Sequence, residues 1–272
     1  MKKHIIRYLV FSLCVFMLAF SGCASNPFTG KSTLALVSNS ELFPMSFQAY
    51  GEFLNENIVI TGTPEAEMVS RVGDNLRMAA EAWLASEGQL HFLNGYSWEF
   101  NLIDSPEVNA WCMPGGKIVI YTGILPITQN EHGLAVVMGH EIAHALLNHG
   151  QRRMSGEVVR QGVALGLGLG LVIGGASSEA TMGIITAYDV GTTVGGTLPF
   201  SRSNESEADQ YGLILMTIAG YNPEESVPFW QRMSAGGGGS LEFLSTHPSD
   251  ERRVRQLREW IPMAREKAAQ IR

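Results

Sequence analysis

Apolar positions recur at helical spacing in six stretches of the chain and at strand spacing in three. Leu42, Phe47 and Phe53 follow Ser40, which predicts a helix capped by that serine. Thr63 and Pro64 open a second helix, whose stripe is Val69, Val72, Leu76, Ala79, Ala80 and Trp83. Trp98–Ile103, Val108–Met113 and Lys117–Thr122 read as strands, with Pro114-Gly115-Gly116 turning between the last two. Thr128 and Glu131 predict a capping box, and Gly150 a stop. The helix between them is apolar almost all round (Leu134, Val136, Val137, Met138, Ile142, Ala143, Leu146), the pattern of a buried helix. Another buried helix runs from near Asn204 to Gly220. Asn222-Pro223-Glu224-Glu225 starts the next. The last begins near Pro248 and buries Val254, Leu257, Trp260 and Ile261. Neither an internal repeat nor a shift in composition divides residues 41–272, which read as one mostly helical α+β domain with a small sheet.

Two segments stand outside this pattern. Gln161 to Ser178 is uncharged and carries six glycines. It suits a membrane-dipping hairpin, a pair of tightly packed helices or a cover over a site. At the start, Lys2, Lys3 and Arg7 precede an uncharged apolar run from Tyr8 to Phe20, too short to span a bilayer comfortably. Phe20-Ser21-Gly22-Cys23 resembles a bacterial lipobox. The resemblance implies removal of residues 1–22, lipidation of Cys23 and a membrane anchor, with 23–40 as a tether. With Ala24 after the cysteine, the expected location is the periplasmic face of an outer membrane. The tether contains Thr29-Gly30-Lys31-Ser32, but Ser25 stands where a phosphate-binding loop needs glycine.

Composition narrows the function. Hydrophobic residues make up 45% and charged residues 17%, which excludes disordered and collagen-like chains. The net charge of −7 becomes −10 once Lys2, Lys3 and Arg7 leave with the leader, so nucleic acid is not an expected partner. Of the three cysteines, Cys14 leaves with the leader and Cys23 carries lipid. Cys112 alone supports neither a disulfide framework nor a cysteine zinc site.

The chemistry lies in His140-Glu141-Ile142-Ala143-His144. At about 100° per residue the two histidines share a face one turn apart, and Glu141 stands beside them. Two nitrogen ligands and a base next to a bound water are what a zinc hydrolase needs. Three polar side chains in an apolar helix would otherwise cost several kcal/mol. A third ligand is sought in Asn204-Glu205-Ser206-Glu207-Ala208-Asp209. Glu205 and Asp209 share a face that continues through Gly212, Leu215, Met216 and Ala219. Glu205 as ligand and Asp209 as the partner of a ligand histidine would satisfy both acids. Glu207 stays open as the alternative ligand, although it can also form a capping box with Asn204. His149 falls on the opposite face of the helix, and Leu147 occupies the glycine position of the metzincin pattern.

HEIAH followed by SRSNESEADQYG, together with NAWCMPGG at 109–116 and STHPSDERR at 245–253, resembles the gluzincin zinc metalloproteases. These include the BepA, LoiP, HtpX, mitochondrial Oma and CAAX prenyl proteases, and the lipoprotein-like start is most similar to the LoiP type. The resemblance spans roughly 60–262 and implies a zincin-like fold, with the sheet beside the HExxH helix. It implies one Zn²⁺ held by His140, His144 and Glu205, oriented by Asp209, with one position left for water and Glu141 as base. It also implies that His247 approaches the metal, closing the resting site or assisting catalysis, and that Arg253 stabilises negative charge in the transition state. Asn109, Ala110 and Trp111 could form an edge that binds substrate as an added strand. The expected function is endopeptidase quality control of unfolded or misassembled envelope proteins. A lipid-anchored chaperone with rare cleavage is the alternative, and a lipid-embedded structural protein built on 161–200 is a further rival.

Overall fold

The computed structural model describes residues 23–156, 158–160, 163, 201–235, 243, 247 and 251–271. The expected leader and all of the glycine-rich 161–200 stretch except Val163 lie outside them. Among the described residues no helix is long and apolar enough to cross a membrane.

Among the described residues, six helices of at least ten residues carry the fold: α1 (Asn39–Glu56), α2 (Pro64–Ser86), α3 (Glu131–Leu146), α4 (Arg202–Ile218), α5 (Ser226–Ala235) and α6 (Glu251–Ile271). Six short strands accompany them: β1 (Cys23–Ser25), β2 (Ser32–Leu34), β3 (Val59–Ile60), β4 (Glu99–Ile103), β5 (Ala110–Met113) and β6 (Lys117–Tyr121). The result is the expected mostly helical, zincin-like α+β architecture. The larger sheet has the order β3-β4-β6-β5. β4 and β6 run parallel and the other pairs antiparallel, so β5 is an edge. All five residues of β6 are buried, as a central strand covered on both faces requires.

Local chemistry sets most boundaries. Thr63 caps α2 by accepting from the Ala66 N–H, with proline at the first turn. The whole predicted stripe of α2 is buried. Other caps differ from expectation. Ser38, not Ser40, closes a capping box with Glu41. Asn130 caps α3 through the Gly133 N–H, while the Thr128 hydroxyl donates to the Leu125 carbonyl. Ser201, not Asn204, caps α4. α3 stops at Leu146, before Gly150, because Asn148 takes a left-handed φ of 54°, which asparagine tolerates better than most residues.

Residues 23–40 are not the extended tether that their composition suggests. β1 and β2 pair antiparallel, and the turn between them enters the core. The Asn26 amide donates to the Leu146 carbonyl at 2.7 Å, satisfying an end of α3 that the helix itself leaves open. Phe28 is buried edge-on against Trp83, with ring centroids 5.0 Å apart, and the Tyr211 hydroxyl donates to its carbonyl.

Candidate metal centre

α3 is buried from Gly133 to Leu146 on every side. It lies against β5, α2 and α4, so its polar side chains cannot reach bulk water. α4 crosses it closely enough to bring the face of Glu205 and Asp209 against His140 and His144. His247, ahead of α6 in the chain, joins them.

The geometry is convergent. His140 Nε2 lies 3.1 Å from His144 Nε2 and 3.1 Å from His247 Nδ1. Glu205 Oε1 is 3.3 Å from His144 Nε2 and 3.1 Å from His247 Nδ1, and its Oε2 is 3.5 Å from His140 Nε2. One ligand atom from each of these four buried residues fits within a span of 4.8 Å. The far nitrogen of His140 is held by Asp209 Oδ1 at 2.9 Å.

Electrostatics follow from this crowding. Burial works against the charged form of His140, but Asp209 and Glu205 outweigh it and raise its pKa to about 9. Burial lowers His144 well below the usual imidazole range, and the neighbouring His140 and His247 add to that. Burial would raise Glu205, yet hydrogen bonds from His140, His144 and His247 hold it far below the carboxylate range. Glu141 is raised, chiefly by burial, with His247 and His140 opposing.

These residues fit a metal ion. Imidazole nitrogens with one carboxylate are a zinc-type donor set. Glu141 Oε1 is buried with no hydrogen-bond partner among the described residues, and His247 Nε2 lies 3.5 Å away. A buried carboxylate oxygen left so beside four converging donors is suited to a water or an ion.

The other predicted residues fall around this cluster. Arg253 is buried and donates to Glu205 Oε2 at 2.6 Å and Asp209 Oδ2 at 2.5 Å, with its guanidinium 3.8 Å from the Trp230 ring centroid. Burial opposes its charge, and the two carboxylates restore it and raise the pKa. Its Nε and Nη2 donors are thus engaged by the carboxylates of Asp209 and Glu205. Ala110 faces the core, whereas Trp111 packs on the other sheet face against Tyr50 and Phe53. The Asn109 side chain accepts from the Ala110 N–H. The Phe243 N–H donates to the Val108 carbonyl, and the Phe243 ring stacks on His247 at 4.6 Å.

His149 was expected on the face of the helix away from His144. It instead lies 2.9 Å from His144, Nδ1 to Nδ1, because the reversal at Asn148 folds it back. Glu207 is not a capping residue. Its carboxylate meets His149, Lys31 and Arg152. Sequence reasoning missed this cluster, and the signal available was asparagine just past the last apolar turn of α3.

Comparison with known proteins agrees with the geometry. Residues 74–261 match peptidase family M48. Mitochondrial metalloendopeptidase OMA1 of Saccharomyces cerevisiae is 37% identical over 183 residues, covering 64% of this chain and 50% of that protein. Metalloendopeptidase OMA1, mitochondrial, of Homo sapiens is 27% identical over 264 residues, covering 93% and 49%. The beta-barrel assembly-enhancing protease of Escherichia coli K12 is 31% identical over 165 residues, covering 59% and 34%. The chain thus spans half or less of the length of these relatives. The yeast, plant and animal relatives are mitochondrial, which overturns the expected outer-membrane location. That expectation rested on the lipobox-like Phe20-Ser21-Gly22-Cys23 and on Ala24 after the cysteine.

Proposed function

The chain belongs to peptidase family M48, and we propose that it is a metalloendopeptidase that cleaves unfolded or misassembled polypeptides using one zinc ion held by His140, His144 and Glu205. The observation that carries this reading is the convergence of those donors beside a buried Glu141 oxygen that has no hydrogen-bond partner among the described residues. Zinc, when bound, supplies the Lewis acidity that polarises a scissile carbonyl and brings a water's pKa toward about 7. Glu141 takes the proton of the attacking water and delivers it to the leaving amine. Asp209 fixes the His140 ring, and Arg253 fixes Glu205 and Asp209. Asn109 and the edge strand β5 that follows it, with Ala110 and Trp111, offer a rail for an extended substrate.

His247 adds regulation to this reading. It stands in the fourth donor position, and its N–H donates to the carbonyl of Phe243, whose own N–H donates to the Val108 carbonyl just before the edge strand. Displacing His247 would free the water position, so we read it as a gate that closes the resting enzyme. The same contact favours a second reading, in which the chain holds clients and rarely cuts them. That binding activity would survive Glu141→Gln.

Metal removal tests the proposal. Incubation with 1,10-phenanthroline should abolish casein cleavage, and stoichiometric zinc should restore it. Cleavage indifferent to the chelator would defeat the zinc reading. Equal cleavage of a folded protein panel would defeat the preference for unfolded chains.

A further inference from the structure

We infer that Glu207 and His149 form a positioning relay that fixes His144 toward the metal, as Asp209 does for His140. This rests on the reading of His140, His144 and Glu205 as ligands.

Both histidines turn Nε2 into the donor cluster and Nδ1 away from it. An imidazole that ligates through Nε2 carries its proton on Nδ1, and what receives that proton sets the ring's tautomer and orientation. For His140 the receiver is the Asp209 carboxylate at 2.9 Å. For His144 it is His149 Nδ1, also at 2.9 Å. His149 must then present a bare lone pair at Nδ1. As a neutral ring it carries its own proton on Nε2, which faces Glu207 Oε2 at 3.2 Å. Donors and acceptors alternate without conflict from the carboxylate to the ligand nitrogen, and only one tautomer of each ring satisfies the series.

The fold holds the series rigidly. His149 is 0% exposed and His144 4%. The left-handed Asn148 ends α3 and sets His149 at the start of the helical residues 149–156. One turn on, Arg152 Nη1 reaches the same Glu207 oxygen at 2.9 Å, and from the β1–β2 turn Lys31 Nζ reaches its other oxygen at 2.7 Å. Glu207 leaves α4 about 200° away from Glu205, so one helix serves the ligand set directly and approaches His144 from behind. The rival reading is a polar knot that only secures the chain reversal.

Zinc affinity by chelator competition, the visible bands of the cobalt-substituted protein and apo-protein melting separate the two readings. His149→Phe should lower zinc affinity about 10- to 100-fold and shift the cobalt bands, as Asp209→Asn should. His149→Asn, whose Oδ1 can accept from His144 where Nδ1 did, should recover most of that loss. A knot alone predicts equal losses in both His149 variants, tracking their melting temperatures, and that result would overturn the relay. Should His149→Phe fail to fold, Glu207→Met against Glu207→Gln decides, because the glutamine Oε1 can still accept from His149 Nε2 and the thioether cannot take that role. The relay predicts the larger affinity loss in Glu207→Met, and equal losses would overturn it. Wild-type protein without zinc would overturn the ligand reading and the relay together. Wild-type zinc binding with unchanged affinity in His149→Phe would overturn the relay alone.

Discussion

Gly139 and Gly212 face each other where α3 and α4 cross. A methyl group on Gly212 would lie 2.8 Å from the Gly139 carbonyl carbon and from the His140 backbone nitrogen. No side chain separates the two backbones at this point. The closeness lets Asp209, three residues before Gly212, reach the ring of His140.

Gly212→Ala should therefore affect both stability and the metal centre. Forcing a methyl into backbone contact should cost about 1–3 kcal/mol, and the displaced α4 should weaken zinc binding. Thermal unfolding and zinc titration of the purified variant check this. A variant with wild-type melting and affinity would show that the crossing is not constrained as described.

Much of this arrangement is legible in the sequence. The apolar stripe of α2, the Thr63 cap and the strands around Pro114-Gly115-Gly116 follow from local rules. HExxH and the Glu205–Asp209 spacing mark residues that the structure brings together. The remainder depends on contacts distant in the chain. Asn26 and Phe28 read as linker residues because their partners, Leu146, Trp83 and Tyr211, lie far along the sequence. His149 was misplaced because a single backbone reversal at Asn148 outweighs helical periodicity.

The amino-terminal turn should prove structural. Phe28 fills a site bounded by Trp83, Phe92 and Tyr211. Phe28→Ala should destabilise the fold by about 3 kcal/mol, measurable by urea unfolding. A midpoint shift corresponding to only a few tenths of a kcal/mol would mean that the segment is a dispensable tether after all.

The gate makes a directional prediction. If the His247 turn closes the resting site, His247→Ala should cleave casein faster than wild type while retaining zinc. Slower cleavage with zinc retained would show that His247 assists the reaction instead. The Phe243–Val108 contact predicts in addition that the wild type shows the lag of a site that must first open.

The most direct test of the central claim compares the wild type with Glu141→Gln, counting zinc per chain and following casein cleavage in both. Glu141 lies beside the donor cluster without being assigned as a ligand, so on the proposed reading the substitution removes the base and spares the metal. The account predicts one zinc per chain in each protein and cleavage in the wild type alone. Loss of zinc in Glu141→Gln, or cleavage that survives in it, would contradict the account.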